Sequence, residues 1–315
     1  MARFSGYSKN ATSAHSVDAD TSRPRTAWIG LATSVPVEGA MTADEALTKA
    51  GLDWSVSVEP ITRIKRNGES ALVPDQHLVV RDDTEHVFAT CGKIFVPTQN
   101  HAAFDFADSL REDGIPFDAA GSWDHGAKTF LSAKLPSFSL DGQEGEEFEN
   151  YLLMTNAHDL TGSLTISITP TRIRCANMLN LAFKGATNRW SLRHTSTTES
   201  RLELVRQATQ GLDQYVATFK AEAEALIQTA LSLDEFDAFL AEMDLAPRIS
   251  AGVRETYLTS NLLTPGNAWG AINAVSEFTE HLRGGRGTTE SRFQSNLFGQ
   301  AETIRNRATR LLVRR

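Results

Sequence analysis

The hydrophobic period of this chain changes once, near residue 196, and that change limits the folds open to it. Upstream, Trp54, Val56 and Val58 alternate with Ser55 and Ser57, the period of two that marks a half-buried strand. LVVRDDTEHVFAT has the form of a hairpin with Asp82 to Glu85 at its tip. FDAAGSW and AKTFLSAKL flank a turn at Asp124-His125-Gly126, and NYLLMTNA and SLTISIT pair across HDLTG. One helix interrupts the strands. It opens at Pro97-Thr98 with Thr98 as its cap, carries Phe104, Ala107 and Leu110 at helical spacing, and stops at Gly114. Pro170 has no N–H to give a ladder, so a strand end or a bulge is expected there. A bend and a short helix through Met178, Leu179 and Phe183 should follow.

Downstream, LELVRQATQGLDQYVATFKAEAEALIQTAL has apolar residues three and four apart, the pattern of a long helix, with a break expected at Gly211. SLDEFDAFLAEM is a second helix. Ser232 caps it, Glu235 completes a capping box, and Pro247 ends it. NAWGAINAVSEFTEHL is a third, with Trp269, Ile272, Val275, Phe278 and Leu282 in one stripe. Arg283-Gly284-Gly285-Arg286-Gly287 breaks it, and one basic helix closes the sequence. The expected fold is therefore α+β: a small antiparallel sheet with hairpins and one or two helices, followed by a helical C-terminal part. Its expected divisions are a flexible arm over 1–25, a mixed domain over 26–195 and a helical region over 196–315.

An apolar fraction of 41% suffices for a buried core. No run approaches eighteen apolar residues, and the first twenty-five lack the apolar segment of a secretory signal. Cys91 and Cys175 stand far apart. Free thiols and a cytoplasmic location, away from any membrane, are the expectation.

Familiar catalytic signatures are missing. There is no phosphate-binding G-x-x-x-x-G-K-S/T, no strand-preceded G-x-G-x-x-G, no G-x-S-x-G and no H-E-x-x-H. A non-enzymatic protein without a cofactor is expected. His77, His86, His125 and His158, with Asp75, Asp124 and Asp159, sit near hairpin tips and strand ends, where structural or solvent-facing roles outweigh metal ligation. The acidic run Glu144, Glu146, Glu147 and Glu149 is better explained by solvation than by a two-metal nuclease site.

Charge is unevenly spread. The net value is −8, yet residues 160 to 198 contain no carboxylate while Arg172, Arg174, Lys184, Arg189 and Arg193 fall inside. Residues at alternate strand positions share a face, so Arg172 and Arg174 point the same way, and Lys184, Arg189 and Arg193 extend the strip. Such a strip suits a sugar–phosphate chain, with Trp190 as a stacking platform. The competing explanation is that these arginines pair with the flanking acidic blocks or with a second subunit. Arg283 and Arg286, in the glycine-rich connector, are secondary basic contacts.

Four blocks carry a resemblance: TAWIGLA, TRIRCANMLNLAF, WSLRHT, and NAWGAINAVSEFTEHLRG with SNLFGQAETIRNRA. Together they resemble the phage/plasmid-like protein family, a domain of unknown function found in bacteriophages, plasmids and bacteria. The resemblance implies a setting in mobile-element DNA metabolism. A more distant similarity to phage single-strand annealing proteins implies oligomers that cradle single strands in a basic groove without ATP. The expectation is a homo-oligomeric protein that binds single-stranded DNA and anneals strands, in recombination or replication. The alternatives are a self-assembling phage structural or accessory protein, with basic residues 283–315 meeting acidic residues 199–244 of a neighbour, and, third, a metal-dependent nuclease.

Overall fold

A computed structural model of the protein describes residues 33–37, 39–140, 146–172, 177–179, 181, 184, 187–192, 198–261, 263–282 and 289–314. The fold is mixed α and β, as the change of period demands.

Among the described residues the principal sheet has seven strands: β1 (Thr33–Pro36), β5 (Phe117–Trp123), β6 (Lys128–Ser139), β7 (Glu147–Ala157), β8 (Leu164–Arg172), β9 (Asn177–Met178) and β10 (Arg189–Leu192). They run antiparallel in the order β1-β5-β6-β7-β8-β10, with β9 also on β8. A second sheet holds β2 (Val56–Ile64), β3 (Ser70–Arg81) and β4 (His86–Gly92) in sequence order. The hairpins at Asp82–Glu85 and Asp124–Gly126, and the β7–β8 pairing, are where the alternation puts them.

Both faces of the principal sheet are buried, and the period of two sorts them. Leu131, Ala133 and Leu135 of β6 lie with Leu152 and Met154 of β7 and Ile166 and Ile168 of β8 in the main core. Phe130 of β6, Tyr151 and Leu153 of β7, and Ala119 and Trp123 of β5 form a smaller cluster, closed by Leu297 from the C-terminal region.

The helices are α1 (Ala43–Lys49), α2 (Asn100–Phe104), α3 (Asp108–Glu112), α4 (Thr198–Gln228), α5 (Leu233–Glu242), α6 (Pro247–Thr259), α7 (Ala268–Glu277), α8 (Thr289–Phe298) and α9 (Gln300–Leu312). Helix α4 lies on β8 and β10, and α7 packs on α4, α6 and α9. The junction between sheet and helices is aromatic. Phe148 of β7 stacks on Phe138 at 5.0 Å and meets Phe219 of α4 edge-on at 5.2 Å and Trp269 of α7 at 6.3 Å. The Trp269 indole N–H donates to Glu146 across 3.2 Å.

Several expectations are corrected. Thr98 does not cap a helix; Gln99 holds the N-cap position, and its side-chain amide instead pairs with both backbone groups of Val56 at 2.8 and 2.9 Å. The helix expected up to Gly114 is two short α segments joined by a 3₁₀ turn, Asp105–Ala107. Pro170 lies within β8 and not at its end. Its carbonyl accepts from Leu179 N–H, so its missing N–H faces the same side, between the segments where β10 and β9 pair. No bond is lost in that gap. Asn177 and Met178, expected in a helix, pair with Arg172 and Thr171 as a strand.

Helix α4 runs unbroken for 31 residues, and Gly211 marks not a break but a close approach: a Cβ there would come within 3.1 Å of the Trp190 ring. The Ser232–Glu235 capping box is present, but Pro247 opens α6, a helix that the periodicity did not suggest. After α7 the chain makes one π-helical turn, Phe278–Leu282. The single basic helix expected at the end is two, α8 and α9, meeting at Gly299.

Candidate nucleic-acid interface

The described residues of the acid-free span form one margin of the principal sheet: β8, then β9, the turn at Lys184, and β10. Arg172 is the last residue of β8, its backbone paired with Phe148 on one side and Asn177 on the other. Lys184 is exposed. Arg174, Arg193, Arg283 and Arg286 lie outside the described residues, as do Cys175 and the N-terminal arm.

Arg189 and Trp190 are neighbours on β10 and therefore face opposite ways. Arg189 turns toward the C-terminal helices. Its guanidinium meets Glu302 of α9 at 2.7 Å, donates to the Leu297 carbonyl at 2.7 Å and lies 5.1 Å from the centre of the Phe298 ring. Phe298 also stacks near Trp123 of β5, so one helix end covers the second face of the sheet. Trp190 turns the other way, half-buried over Gly211 of α4. The two side chains do not form one strip. Arg189 is tied within its own chain, by an acid far along the sequence that no local pattern could have paired with it.

A second ion pair is deeper. Arg305 of α9 sits 3.0 Å from Glu280 of the π turn, with side chains 1% and 0% exposed, and its guanidinium also donates to the Asn296 carbonyl. Burial pulls the Arg305 pKa down, against the pull of Glu280 and Glu302. Arg307 donates to the Glu242 carbonyl at the end of α5. Part of the basic C-terminal block is thus consumed inside the chain.

The histidines have structural surroundings. His158 is buried, 2.9 Å from the Asn100 side-chain oxygen, which also accepts from Thr129 at 3.0 Å. Beside it Lys128 meets Asp159 at 2.7 Å. Burial pushes the Asp159 pKa up, but hydrogen bonds from Lys128 and Thr161 outweigh it and hold the carboxyl below its usual value. His86 and His125 lie 4.8 Å apart beside a cleft of about 340 Å³ bounded by Ala50, Gly51, Arg81, Ser122, Trp123 and Gly126. Asp124, His125 and Gly126 all have positive φ. At Gly126 only hydrogen fits, since a Cβ would stand 2.8 Å from Arg81 and 3.0 Å from Trp54. Arg81 is 4.3 Å from the centre of the Trp54 ring and bonded to both Asp83 oxygens at 2.6 and 2.8 Å. Its charge is already matched, so the cleft is a poor phosphate site. Among the described residues, no three histidine, cysteine or carboxylate side chains are grouped to hold a metal ion. No helix among them is long and apolar enough to cross a membrane.

No curated protein and no solved structure matches the chain. A family model does match, over residues 87–309, a span that takes in β4 to α9 and therefore the whole margin just described. The chain accordingly belongs to the family described as a domain of unknown function (DUF932).

Proposed function

We propose that the protein binds single-stranded DNA along the β8–β9–β10 margin, as a homo-oligomer, and brings complementary strands together without ATP in the DNA metabolism of a mobile element. One observation supports this reading: residues 160–198 carry five cations and no carboxylate, and of these Arg172 and Arg189 lie on β8 and β10 while Lys184 is exposed in the turn between β9 and β10, with no further strand beside β10 among the described residues. Arg172, Arg174, Lys184 and Arg193 are the phosphate contacts in this scheme. Arg189, engaged by Glu302, holds β10 in place, and Trp190 supports it from the α4 side.

Fluorescence anisotropy with a labelled oligonucleotide tests it. Affinity should fall with salt at a logarithmic slope of roughly −0.7 per neutralised phosphate, and Lys184→Glu should weaken binding and flatten that slope. Absence of affinity at low salt would overturn the reading, and a failure to accelerate annealing of complementary strands would remove that part alone.

A second reading, a self-assembling accessory protein that ignores nucleic acid, draws support from the opposite charge at the two ends of the three-stranded sheet, Arg63, Lys65 and Arg66 at one and Asp82, Asp83 and Glu85 at the other. It predicts assemblies whose mass is indifferent to added DNA.

A further inference from the structure

The three-stranded sheet ends in two tips of opposite sign. At the β2–β3 tip, Arg63, Lys65 and Arg66 stand with Glu69 as the one carboxylate between Thr62 and Leu72. Lys65 touches Glu69 at 3.1 Å, an exposed pair that neutralises little. No carboxylate among the described residues pairs with Arg63 or Arg66. At the β3–β4 tip stand Asp82, Asp83 and Glu85, against Arg81. Strand β3 joins the two, so they lie roughly 35 Å apart at the rise of an extended chain.

Both ends also expose aliphatic groups. Thr62 pairs with Leu72 and Ile64 with Ser70, which puts Ile64 and Leu72 on one face of the hairpin as diagonal neighbours. They are 70% and 64% exposed. Val87, next to the acidic tip, is 46% exposed. Large aliphatic groups beside charge gain nothing from phosphate, but they gain from the apolar centre of a protein interface ringed by opposite charges.

We infer that this sheet is an assembly surface, and that its partner is a second copy of the same chain, the acidic β3–β4 tip of one copy docking on the basic β2–β3 tip of the next. The two patches differ, so the contact is head-to-tail, and successive copies build a ring if the rotation closes and a filament if it does not. This deepens the oligomeric part of the reading above and is independent of DNA binding.

Light scattering without nucleic acid tests it. At micromolar concentration and low salt the wild type should exceed the 34.5 kDa of one chain, and it should fall toward that mass at ~1 M salt. Reversing the basic tip with Arg63→Glu, Lys65→Glu and Arg66→Glu should give single chains at low salt. Thr84→Lys with Glu85→Lys should do the same at the other end. An equal mixture of the two variants should recover the larger mass, because each reversed tip now complements the other variant. Ile64→Ser with Leu72→Ser should raise the dissociation concentration about tenfold or more. The inference is overturned by a wild type that stays a single chain at low salt, by reversals that leave the mass unchanged, or by a mixture that stays dissociated. If the basic-tip reversal abolishes oligonucleotide binding while mass is unaffected, the tip is a nucleic-acid contact instead. Circular dichroism of each variant confirms the fold, and anisotropy with the wild type separates failure of assembly from failure of DNA binding.

Discussion

The two sheets of this molecule are built from the same alternation and put to opposite uses. In the principal sheet β5 is buried along its whole length and β7 nearly so, with apolar side chains packed on both faces. In the three-stranded sheet, burial is confined to the end near Val56, Val79, Val80 and Cys91, and beyond Pro60 and His77 the hairpin stands largely in solvent. Burial of apolar area is the main stabilising term, so the first sheet sets stability while the second is free to carry contacts. A strand with two buried faces tolerates few changes. A hairpin with none tolerates many, and what it displays is therefore informative.

The sharpest test of this contrast is Phe148→Ala, which removes the ring shared by Phe138, Phe219 and Trp269. It should cost about 4 kcal/mol in denaturant unfolding. Arg305→Met should cost about 3 kcal/mol by taking the guanidinium away from the buried Glu280 carboxylate, and adding Glu280→Gln should recover much of the loss. A double variant no better than the single would show that the pair does not act as a unit. The Asp159 carboxyl comes next. Its folded pKa lies below the ordinary 3.8, so its contribution is present above that value and disappears as pH falls through the folded pKa. Asp159→Asn should flatten the acid limb of a stability–pH profile. The smallest effect is expected in the other sheet, where Ile64→Ser with Leu72→Ser should shift unfolding by no more than about 0.5 kcal/mol. A large loss there would mean that the arm belongs to the core after all.

Local chemistry was the legible part of the fold. The tips at Asp82–Glu85 and Asp124–Gly126 and the Ser232 capping box are each specified within a few residues, and the structure has them. Features fixed by distant partners escaped. Asn177–Met178 offered too few residues to separate a period of two from one of 3.6, and β8 decided the matter. Gly211 signalled a break on propensity, whereas its meaning was steric and lay in Trp190 of another element. The same limit applies to the candidate site. The missing carboxylates around Arg189 were visible in sequence, but Glu302 reaches it through the packing of α9. Absence of acid nearby in sequence says little about absence of acid nearby in space. Lys184, expected to follow through a helix, stands in a turn and is exposed.

The rings of Phe138, Phe148, Phe219 and Trp269 have a practical consequence for anyone preparing pieces of this molecule. They interlock across the point at which the chain changes from strands to helices, so a truncation near residue 196 would strip a cluster of aromatic groups of their cover on both fragments at once. Each fragment would then carry a sticky flank in place of a wall, and the expected product of such a cut is aggregate.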